Sequence, residues 1–493
     1  MHLDTRFFRG IVFLASTLVL FACSDSADQT GLAGQAELVE QTEVVVKVAP
    51  ELDQPNVLFI LLDDMGQGDV GYNGSEIATP SLDALARSGV KLDRNYVYPI
   101  CSPTRAALMS GHSPLDYGID GPLGDHASLP LDLKIMPEYF KDMGYQTALV
   151  GKWHLGLAHT DYWPISRGFD YHYGFLGGWV DFYTHVYTDS LDWQRNGESV
   201  REEGHSTDLL TADAVRVIQD RDPTKPIFLY LNYNSPHTPL QIIPEETGLN
   251  DSIEPGDRLV FAEMMTHADA GIGQVMDTLE SEGMLENTLV VFSSDNGGNA
   301  TAGSSNGDLQ FGKGSAYEGG IRVPGLISWP DKIEAGTVLE QPIAVYDWLP
   351  TLLGAVGGNP DEVVDPYGQN MWSAITEDEI VDPSLKVIGT WSSKAAFDWP
   401  WKFVRQLNGA NPGDFLFNVV DDPLELNELS GQFPEKAAEL AAVLDALPEV
   451  ESKRNPPGSV RPETMFRNED DTGWNYEVRI LETDEPYAEK ALR

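Results

Sequence analysis

Short apolar runs that stop abruptly at polar residues constrain the fold of this chain more than any other feature. The first run spans Asn56 to Leu62, and similar runs return at Thr147 to Val150, Ile227 to Leu231 and Leu289 to Phe292. Apolar residues without alternation indicate strands that are buried on both faces, as in a parallel sheet covered by helices. The chain is therefore predicted to contain a central, mostly parallel sheet.

Helical patterns lie between these runs, at Ser81 to Ser88, Ile135 to Met143 and Arg258 to Glu280. Strands and helices that alternate along a chain predict an α/β sandwich. In such folds ligands bind at the carboxyl ends of the strands, so the polar residues that follow each run are the candidates for a functional site.

The periodicity changes after about Gly357. The later elements are strand-like pieces at Leu385 to Trp391, Trp401 to Arg405 and Phe415 to Val419, then a helical pattern at Pro434 to Leu447. We therefore predict one large domain over residues 55–357. A small C-terminal α+β subdomain with an acidic tail is predicted over residues 358–493.

Residues 1–23 have the pattern of an export signal. Two arginines precede an apolar run from Ile11 to Ala22, which is too short for a permanent membrane-spanning helix and fits a signal peptide. The run ends in Leu20-Phe21-Ala22-Cys23, which is similar to a bacterial lipobox and predicts lipid attachment at Cys23. Secretion without a lipid is the alternative interpretation.

Residues 24–54 are polar and acidic without a persistent period, and they are predicted to form a flexible tether. With the signal peptide, the tether predicts an exported protein in the bacterial periplasm or an outer-membrane-attached lipoprotein. Its membrane contact would be made only through the lipid on Cys23.

The charge of the chain limits its partners. Lys and Arg number 32 against 77 Asp and Glu, which gives a formal net charge of −45. A field of this sign repels phosphate backbones and argues against nucleic acid as a partner. An anionic substrate would have to be held by a local basic pocket.

Oxygen-rich clusters follow two of the predicted strands. Asp63-Asp64 comes directly after the first run, and Ser294-Asp295-Asn296-Gly297-Gly298 follows the last. Each cluster alone is also typical of a turn. Together, at two strand ends that can converge, they predict a site for Ca²⁺ or Mg²⁺, which prefer carboxylate and amide oxygens.

Cys101 is one of 2 cysteines in the chain, and it begins the sequence Cys101-Ser-Pro-Thr-Arg105, which continues as Ala-Ala-Leu-Met-Ser-Gly111. A buried structural cysteine is the simplest explanation of a single thiol. However, Pro103 is tolerated in a first helical turn, which predicts that Cys101 lies at a helix N-terminus. That end carries positive partial charge and free N–H groups, which suit an anion.

The Cys-x-Pro-x-Arg pattern resembles the signature of the type I sulfatases, in which the cysteine is oxidised to formylglycine. Further stretches resemble this family in the family's order, over about residues 55 to 350: Asp63-Asp-Met-Gly-Gln-Gly-Asp69, Thr79-Pro-Ser-Leu-Asp-Ala-Leu-Ala86, Gly151-Lys-Trp-His-Leu-Gly156, Ser235-Pro-His-Thr-Pro239 and Gly319-Gly-Ile-Arg-Val-Pro324. Arg167-Gly-Phe-Asp170 is most similar to the arylsulfatase B, or N-acetylgalactosamine 4-sulfatase, branch. The resemblance implies an alkaline-phosphatase-like fold and makes residues 55–357 the catalytic domain.

The resemblance also implies a set of site residues. One Ca²⁺ ion, with Mg²⁺ as the alternative, would be bound by Asp63, Asp64, the modified Cys101, Asp295 and Asn296. Arg105 would hold the formylglycine, and the sulfate would be surrounded by Lys152, His154, His237 and Lys313. The formylglycine implies a further partner, a maturation enzyme that generates it from Cys101.

The implied mechanism starts from the hydrated aldehyde, one hydroxyl of which attacks sulfur in line with the leaving group. His237 or Lys313 would protonate or stabilise the departing alcohol, and His154 would deprotonate the second hydroxyl so that sulfate is expelled. Lys152 and His154, two residues apart after an apolar run, are predicted to lie on one side of an extended segment.

A sulfated carbohydrate is the expected substrate, with a galactose-type ring carrying a 4-sulfate as the branch-level expectation. Aromatic residues are frequent between Tyr162 and Trp193, where they either stack on sugar rings or pack in the core. For His185 the sequence leaves two interpretations, a residue of a substrate subsite or a packed residue of the core. Two alternative functions are a phosphomonoester or phosphonate hydrolase of the same superfamily and a catalytically silent carbohydrate-binding lipoprotein.

Overall fold

The structure, a computed structural model, describes residues 52, 54–124, 127–188, 190–243, 248–363, 368–383, 386–408 and 412–454. The predicted signal peptide, Cys23, nearly all of the tether, His126 and the acidic tail lie outside the described residues. Within the described part of the chain, no helix is both long enough and apolar enough to cross a membrane.

The strands in chain order are β1 Asn56–Leu62, β2 Val90–Leu92, β3 Asn95–Tyr96, β4 Gln146–Lys152, β5 Tyr171–Phe175, β6 Val186–Tyr187, β7 Ser190–Leu191, β8 Gln194–Arg195, β9 Glu198–Ser199, β10 Ile227–Asn232, β11 Thr288–Ser294, β12 Arg322–Val323, β13 Gly325–Ser328, β14 Thr337–Leu339, β15 Ile343–Ala344, β16 Lys386–Gly389, β17 Ser393–Asp398, β18 Trp401–Gln406 and β19 Gly413–Asn418. The α-helices are α1 Pro80–Ser88, α2 Cys101–Ser110, α3 Met136–Asp142, α4 Ser206–Asp220, α5 Asp257–Ser281, α6 Glu318–Ile321, α7 Trp348–Ala355, α8 Trp372–Thr376 and α9 Pro434–Asp445.

The main sheet has 10 strands in the order β14-β2-β13-β11-β1-β10-β4-β5-β8-β9. Its centre, from β11 through β1, β10 and β4 to β5, is parallel, whereas β13 and β8 join it antiparallel. Every residue of β1 is buried, as expected for a central strand that is covered on both faces. The predicted α/β fold with a mostly parallel central sheet is confirmed.

Two groups of helices cover this sheet. Helix α5 packs against α1 and α4, and α2 packs against α3 and α7. The four predicted strands correspond to β1, β4, β10 and β11, and the three predicted helices to α1, α3 and α5. Helix α4 was not predicted, because its apolar face is interrupted by polar residues such as Thr211 and Asp213, which are nevertheless buried.

The C-terminal subdomain is a four-stranded antiparallel sheet in the order β16-β17-β18-β19, with α9 packed against β17 and β18. The predicted α+β character of this region is confirmed. The sequence analysis missed β17, whose side chains on one face are only Ser393, Ala395 and Phe397. Small residues weaken the alternation on which strand prediction depends.

The register of the paired strands brings polar residues together at one edge of the main sheet. Leu62 at the end of β1 lies opposite Ser294 in β11, and Leu61 lies opposite Asn232 in β10. Asn232 in turn lies opposite Gly151 in β4. Because parallel strands end at the same edge, the residues that follow β1, β4 and β11 meet there.

Candidate active site

The predicted oxygen ligands lie together at the carboxyl edge of the sheet. Asp63 and Asp64 follow β1, Asp295 and Asn296 follow β11, and all four are at most 3% exposed. Asp64 has a left-handed backbone, with φ of 71°, and its N–H donates to Asp295 Oδ1 at 3.3 Å. Asn296 Nδ2 donates to Asp64 Oδ1 at 2.8 Å. The two strand ends therefore form a single cluster.

Several oxygen atoms of this cluster fit a hard divalent cation. Asp63 Oδ1 and Asn296 Oδ1 are buried and have no hydrogen-bond partner among the described residues. The pKa of Asp295 is raised to about 6, mainly by burial and secondly by the negative charge of the adjacent Asp63 carboxylate. Excess negative charge and unpaired buried oxygens are what a bound Ca²⁺ or Mg²⁺ would neutralise.

Three basic side chains hold the carboxylates in place. Lys152 Nζ donates to Asp63 Oδ2 at 2.6 Å, and Arg105 donates to Asp295 Oδ2 through Nε at 3.1 Å and Nη2 at 2.8 Å. Lys152 and Arg105 are fully buried in these ion pairs. Their bonds to Asp63 and Asp295 leave the Oδ1 atom of each carboxylate free of a basic partner.

The third base, Lys313, pairs with Asp64 Oδ1. Burial lowers the pKa of Lys313, but the Asp64 charge outweighs burial and holds that pKa above its ordinary value. Burial raises the pKa of Asp64, but the charges of Lys313 and His237 outweigh it and hold that pKa below its ordinary value. This pair is therefore ionised, and Lys313 brings a cation to the edge of the cluster.

Cys101 begins helix α2, as predicted, with Pro103 in the first turn. The helix ends at Gly111, whose left-handed φ of 70° caps it. The thiol is buried, and burial raises its pKa, although Lys152 and Lys313 act in the opposite direction. The encoded thiol is therefore protonated in this setting and would be a weak nucleophile without modification.

His237 joins the carboxylates. Its Nε2 lies 3.7 Å from Asp64 Oδ2, and Asp63, Asp64 and His237 offer ligand atoms that all lie within 4.8 Å of one another. Its Nδ1 faces the Thr238 carbonyl oxygen at 2.6 Å. A carbonyl only accepts, so Nδ1 carries the proton and Nε2 faces the cluster. Burial lowers the pKa of His237 to about 4.

His154 approaches the site differently from the prediction. The extended backbone ends at Lys152, and His154 is left-handed, with φ of 59°. The predicted extended segment through both residues is therefore wrong, although both side chains reach the site region. A Cβ on Gly178 would lie 2.8 Å from the His154 ring, so the ring needs a glycine beside it. The pKa of His154 is held well below its ordinary value, mainly by burial and secondly by the positive charge of Lys152.

A cleft of about 380 Å³ lies above the cluster. Cys101, His154, His237 and Lys313 line it, and its remaining lining residues include Trp179, Tyr187, Trp391 and Arg454. The other predicted residues, Arg105, Lys152, Asp63, Asp64, Asp295 and Asn296, are buried in the site region but are not among the lining residues. The candidate site thus has two parts. The reactive wall consists of Cys101, His154, His237 and Lys313, which line the cleft. The charged layer behind it consists of the buried residues Asp63, Asp64, Arg105, Lys152, Asp295 and Asn296.

Sequence analysis missed Trp391 and Arg454. They belong to no local pattern, and the one available signal was the basic pair Lys453-Arg454 in a chain of net charge −45.

His185, which the sequence left open between a substrate subsite and packing, stacks on Trp193 with 4.4 Å between ring centroids and is 1% exposed. Packing is therefore its role.

A second group with metal-ligand chemistry consists of His205, Asp208 and His267. His205 Nδ1 accepts from the Thr207 N–H at 3.3 Å, and its Nε2 faces the Gln241 carbonyl oxygen at 3.2 Å. Both ring nitrogens are thus engaged by backbone groups, so this histidine has no lone pair ready for a cation.

Two curated relatives are similar to this chain. Arylsulfatase J of Mus musculus is 40% identical over 336 residues, which cover 66% of this chain and 56% of the relative. N-acetylgalactosamine-6-sulfatase of Mus musculus is 32% identical over 342 residues, which cover 63% of this chain and 64% of the relative. The chain thus spans less than two thirds of the length of either relative.

Among solved structures, Ps i-CgsB in complex with k-i-k-neocarrahexaose is similar, with a TM-score of 0.73 and 30% identity. The alignment covers 85% of this chain and 99% of that structure. The narrower resemblance to the arylsulfatase B branch stays a prediction. The family model described as Sulfatase matches residues 55–358, which is more than half of the chain. With this match, and with the site at the carboxyl edge of the sheet, the chain belongs to the sulfatase family.

Proposed function

We propose that this protein hydrolyses sulfate monoesters of a sulfated carbohydrate, using a formylglycine made from Cys101 and a calcium ion held by Asp63, Asp64, Asp295 and Asn296. One observation carries the proposal. Cys101 lies at the start of a helix, and the cleft that it lines also receives Lys313, His154 and His237. Membership in the sulfatase family, and the carbohydrate named with the similar solved structure, support it.

The cation and the formylglycine would supply positive charge and a nucleophilic oxygen when present. The chain's own residues would do the remaining work. The positive end of the α2 dipole would attract the sulfate, and Lys313 adds a positive charge in the same cleft. Lys152 and Arg105 hold the carboxylates of Asp63 and Asp295 in fixed orientations through their ion pairs. Preorganised charges of this kind need no rearrangement during the reaction.

The leaving alcohol needs a proton, and Lys313 is the cleft residue placed to provide it. Lys313 Nζ is a protonated donor held by Asp64. His237 carries its proton on Nδ1, which is committed to the Thr238 carbonyl, so its Nε2 would accept a hydrogen bond from the departing alcohol and would need a second proton to act as its acid. His154 lines the cleft next to Gly178 and would accept a proton from the nucleophilic group in the second half of the reaction.

The finer parts of the proposal concern the substrate and the setting. Likeness to the arylsulfatase B branch favours a galactose-type ring with a 4-sulfate. The export signal and lipobox favour an outer-membrane-attached or periplasmic enzyme that acts on oligosaccharides released from sulfated polysaccharides, after maturation by a formylglycine-generating enzyme.

The direct test uses protein produced with and without a formylglycine-generating enzyme. Mass spectrometry of the peptide containing Cys101 should show an aldehyde lighter than the encoded thiol only in the first sample, and only that sample should hydrolyse 4-nitrophenyl sulfate. Removal of Ca²⁺ with a chelator should abolish the activity, and added Ca²⁺ should restore it. Cys101→Ala is the matched inactive control.

Two outcomes would contradict the proposal. Full activity with an unmodified Cys101 thiol would reject the formylglycine. A clear preference for 4-nitrophenyl phosphate over 4-nitrophenyl sulfate would favour the phosphomonoester hydrolase alternative.

A further inference from the structure

One wall of the cleft comes from the last described residues of the chain. Lys453 N–H donates to the Gly118 carbonyl at 2.8 Å, and Gly124 N–H donates to the Lys453 carbonyl at 2.9 Å. Leu123 and Arg454 form an antiparallel bridge. These backbone bonds fix residues 453 and 454 against the loop that follows α2, and they bring Arg454 to the cleft.

Arg454 is held in place by an aromatic ring. Its guanidinium carbon lies 4.6 Å from the centroid of the Trp391 ring, and the Trp391 backbone N–H donates to the Asp120 carbonyl at 3.0 Å. Both side chains line the cleft. Stacking of a guanidinium on an indole orients its plane and leaves its edge free to donate.

The hydrogen-bond donors of Arg454 are only partly used. Its Nε is buried and has no hydrogen-bond partner among the described residues. Among the described residues, the carboxylate oxygen that pairs with Arg454 is Asp120 Oδ1, which lies 3.9 Å from Nε and is too far for a hydrogen bond. Asp120 instead accepts from the Ser452 hydroxyl. An oriented, under-used guanidinium in a cleft is suited to a planar pair of anionic oxygens.

Arg454 differs from the other basic residues of the site in its partners. Arg105 and Lys152 lie behind the cleft, paired with Asp295 and Asp63, and Lys313 lines the cleft but is paired with Asp64. The cleft, at about 380 Å³, has room for a sugar ring in addition to the sulfate that the reactive wall would hold. Arg454 is thus available to a second anionic group on such a ring, or on its neighbour, that enters the same cleft.

We propose that Arg454, oriented by Trp391, binds a second sulfate of the substrate, so that the enzyme prefers sugars that carry a further sulfate near the one it removes. This inference rests on the proposed sulfatase function. It assigns a substrate class, the multiply sulfated oligosaccharide, to a subsite built from the C-terminal region.

The test uses full-length, matured protein and two matched pairs of oligosaccharides that differ by one sulfate. The pairs are kappa- and iota-type neocarrabiose, and the 4-sulfated and 4,6-disulfated chondroitin disaccharides. Each is measured as a competitive inhibitor of 4-nitrophenyl sulfate hydrolysis, and its binding is also measured by calorimetry. In the wild type, the disulfated member of at least one pair should bind about tenfold more tightly, as expected for one charge-assisted contact.

Arg454→Gln should reduce the ratio between the two affinities of that pair to about one, because the amide cannot replace the guanidinium charge. Arg454→Lys should keep part of the preference. Lys453→Gln is the matched control. Its side chain donates to the Ser128 carbonyl and is not among the cleft lining residues, so its loss should leave the preference intact.

Equal affinities within both pairs in the wild type would overturn the inference, as would a preference that survives Arg454→Gln. A wild type that carries formylglycine but does not hydrolyse 4-nitrophenyl sulfate would instead refute the proposed function. The calorimetric comparison would then still decide whether Arg454 selects the second sulfate.

Discussion

Two buried clusters of carboxylates and cations differ in what surrounds their oxygen atoms. In the first, at the carboxyl edge of the main sheet, Asp63 Oδ1 and Asn296 Oδ1 have no hydrogen-bond partner among the described residues. In the second, Lys402 of β18 forms ion pairs with Glu318 Oε1 and Glu425 Oε1, each at 2.8 Å. Glu425 Oε1 also lacks a hydrogen bond, but unlike Asp63 Oδ1 it lies against a cation.

The remaining oxygens of the second cluster are also engaged. Tyr96 donates its hydroxyl to Glu318 Oε2 at 3.0 Å, and the Glu318 backbone N–H donates to Glu425 Oε2 at 2.7 Å. This cluster joins the C-terminal sheet to helix α6, and none of its residues is among the residues that line the cleft. The comparison shows that buried charges have two different roles in this protein. One cluster keeps unpaired oxygens for a ligand, and the other pairs its oxygens to hold two parts of the chain together.

The largest expected effect comes from removing a charge in the first cluster. Asp63→Asn should lower kcat/KM for an aryl sulfate by at least about a thousandfold, because a bound cation contributes several kcal/mol to transition-state stabilisation. The melting temperature should also fall, because buried Lys152 loses the charge of its partner, although the substitution relieves repulsion between Asp63 and Asp295, so kcat/KM is compared for the molecules that remain folded. Steady-state kinetics and thermal unfolding of the same preparation measure both. Activity near that of the wild type would remove Asp63 from the proposed cation site.

The second cluster should respond in the opposite way. Lys402→Met leaves two buried carboxylates without their shared cation, which should cost about 3 kcal/mol of unfolding free energy. The kcat/KM of the molecules that remain folded should stay close to that of the wild type. Denaturant unfolding and kinetics at low temperature separate these quantities. A large loss of kcat/KM with unchanged stability would show that the two clusters are functionally coupled.

The pH dependence of stability gives a finer distinction. Burial raises the pKa of Glu425 from 4.5 to about 7, despite the opposing charge of Lys402. A pKa that is raised in the folded state means that the folded protein binds the proton more tightly, so this contribution to stability is complete below about pH 4.5 and is lost as the pH rises through 7. Glu425→Gln should therefore flatten the fall in melting temperature between pH 5 and pH 8. Glu334→Gln, at an exposed position, should leave the slope unchanged, and an unchanged slope in Glu425→Gln would reject the assignment.

The smallest expected effect concerns the position of one ring. A methyl group on Gly178 would lie 2.8 Å from the His154 ring, so Gly178→Ala should displace the ring and lower kcat by about tenfold, within the range seen for a misplaced acid or base. Gly431→Ala has open space around the new methyl group and is the matched control. Equal kcat for the two variants would show that His154 does not act at the reacting centre.

Much of the candidate site could be predicted because its parts are local. The run from Asn56 to Leu62 predicts a buried strand, and the residues that follow a parallel strand lie at the edge where ligands bind. In the same way, Pro103 and the residues after it predict that Cys101 begins a helix. These inferences depend on neighbours within a few positions, which is the range over which periodicity and helix-start signals act.

Other features could not be predicted because they depend on contacts between distant parts of the chain. His154 has a left-handed backbone instead of an extended one; its N–H donates to the Leu176 carbonyl and its ring lies beside Gly178, both on another loop. Arg454 and Trp391 reach the cleft only after residues 451–454 lie alongside residues 118–124. Neither contact leaves a periodic signal in the sequence.

By itself, the sequence determined the four central strands β1, β4, β10 and β11, the helix that starts at Cys101 and the acidic residues that follow β1 and β11. The tertiary structure alone decided which base each acid receives. Lys152 and Asp63 are 89 positions apart, and Lys313 and Asp64 are 249 positions apart. Local patterns arise from the backbone and its nearest neighbours, whereas a buried ion pair is selected by the burial of both partners after the sheet has formed.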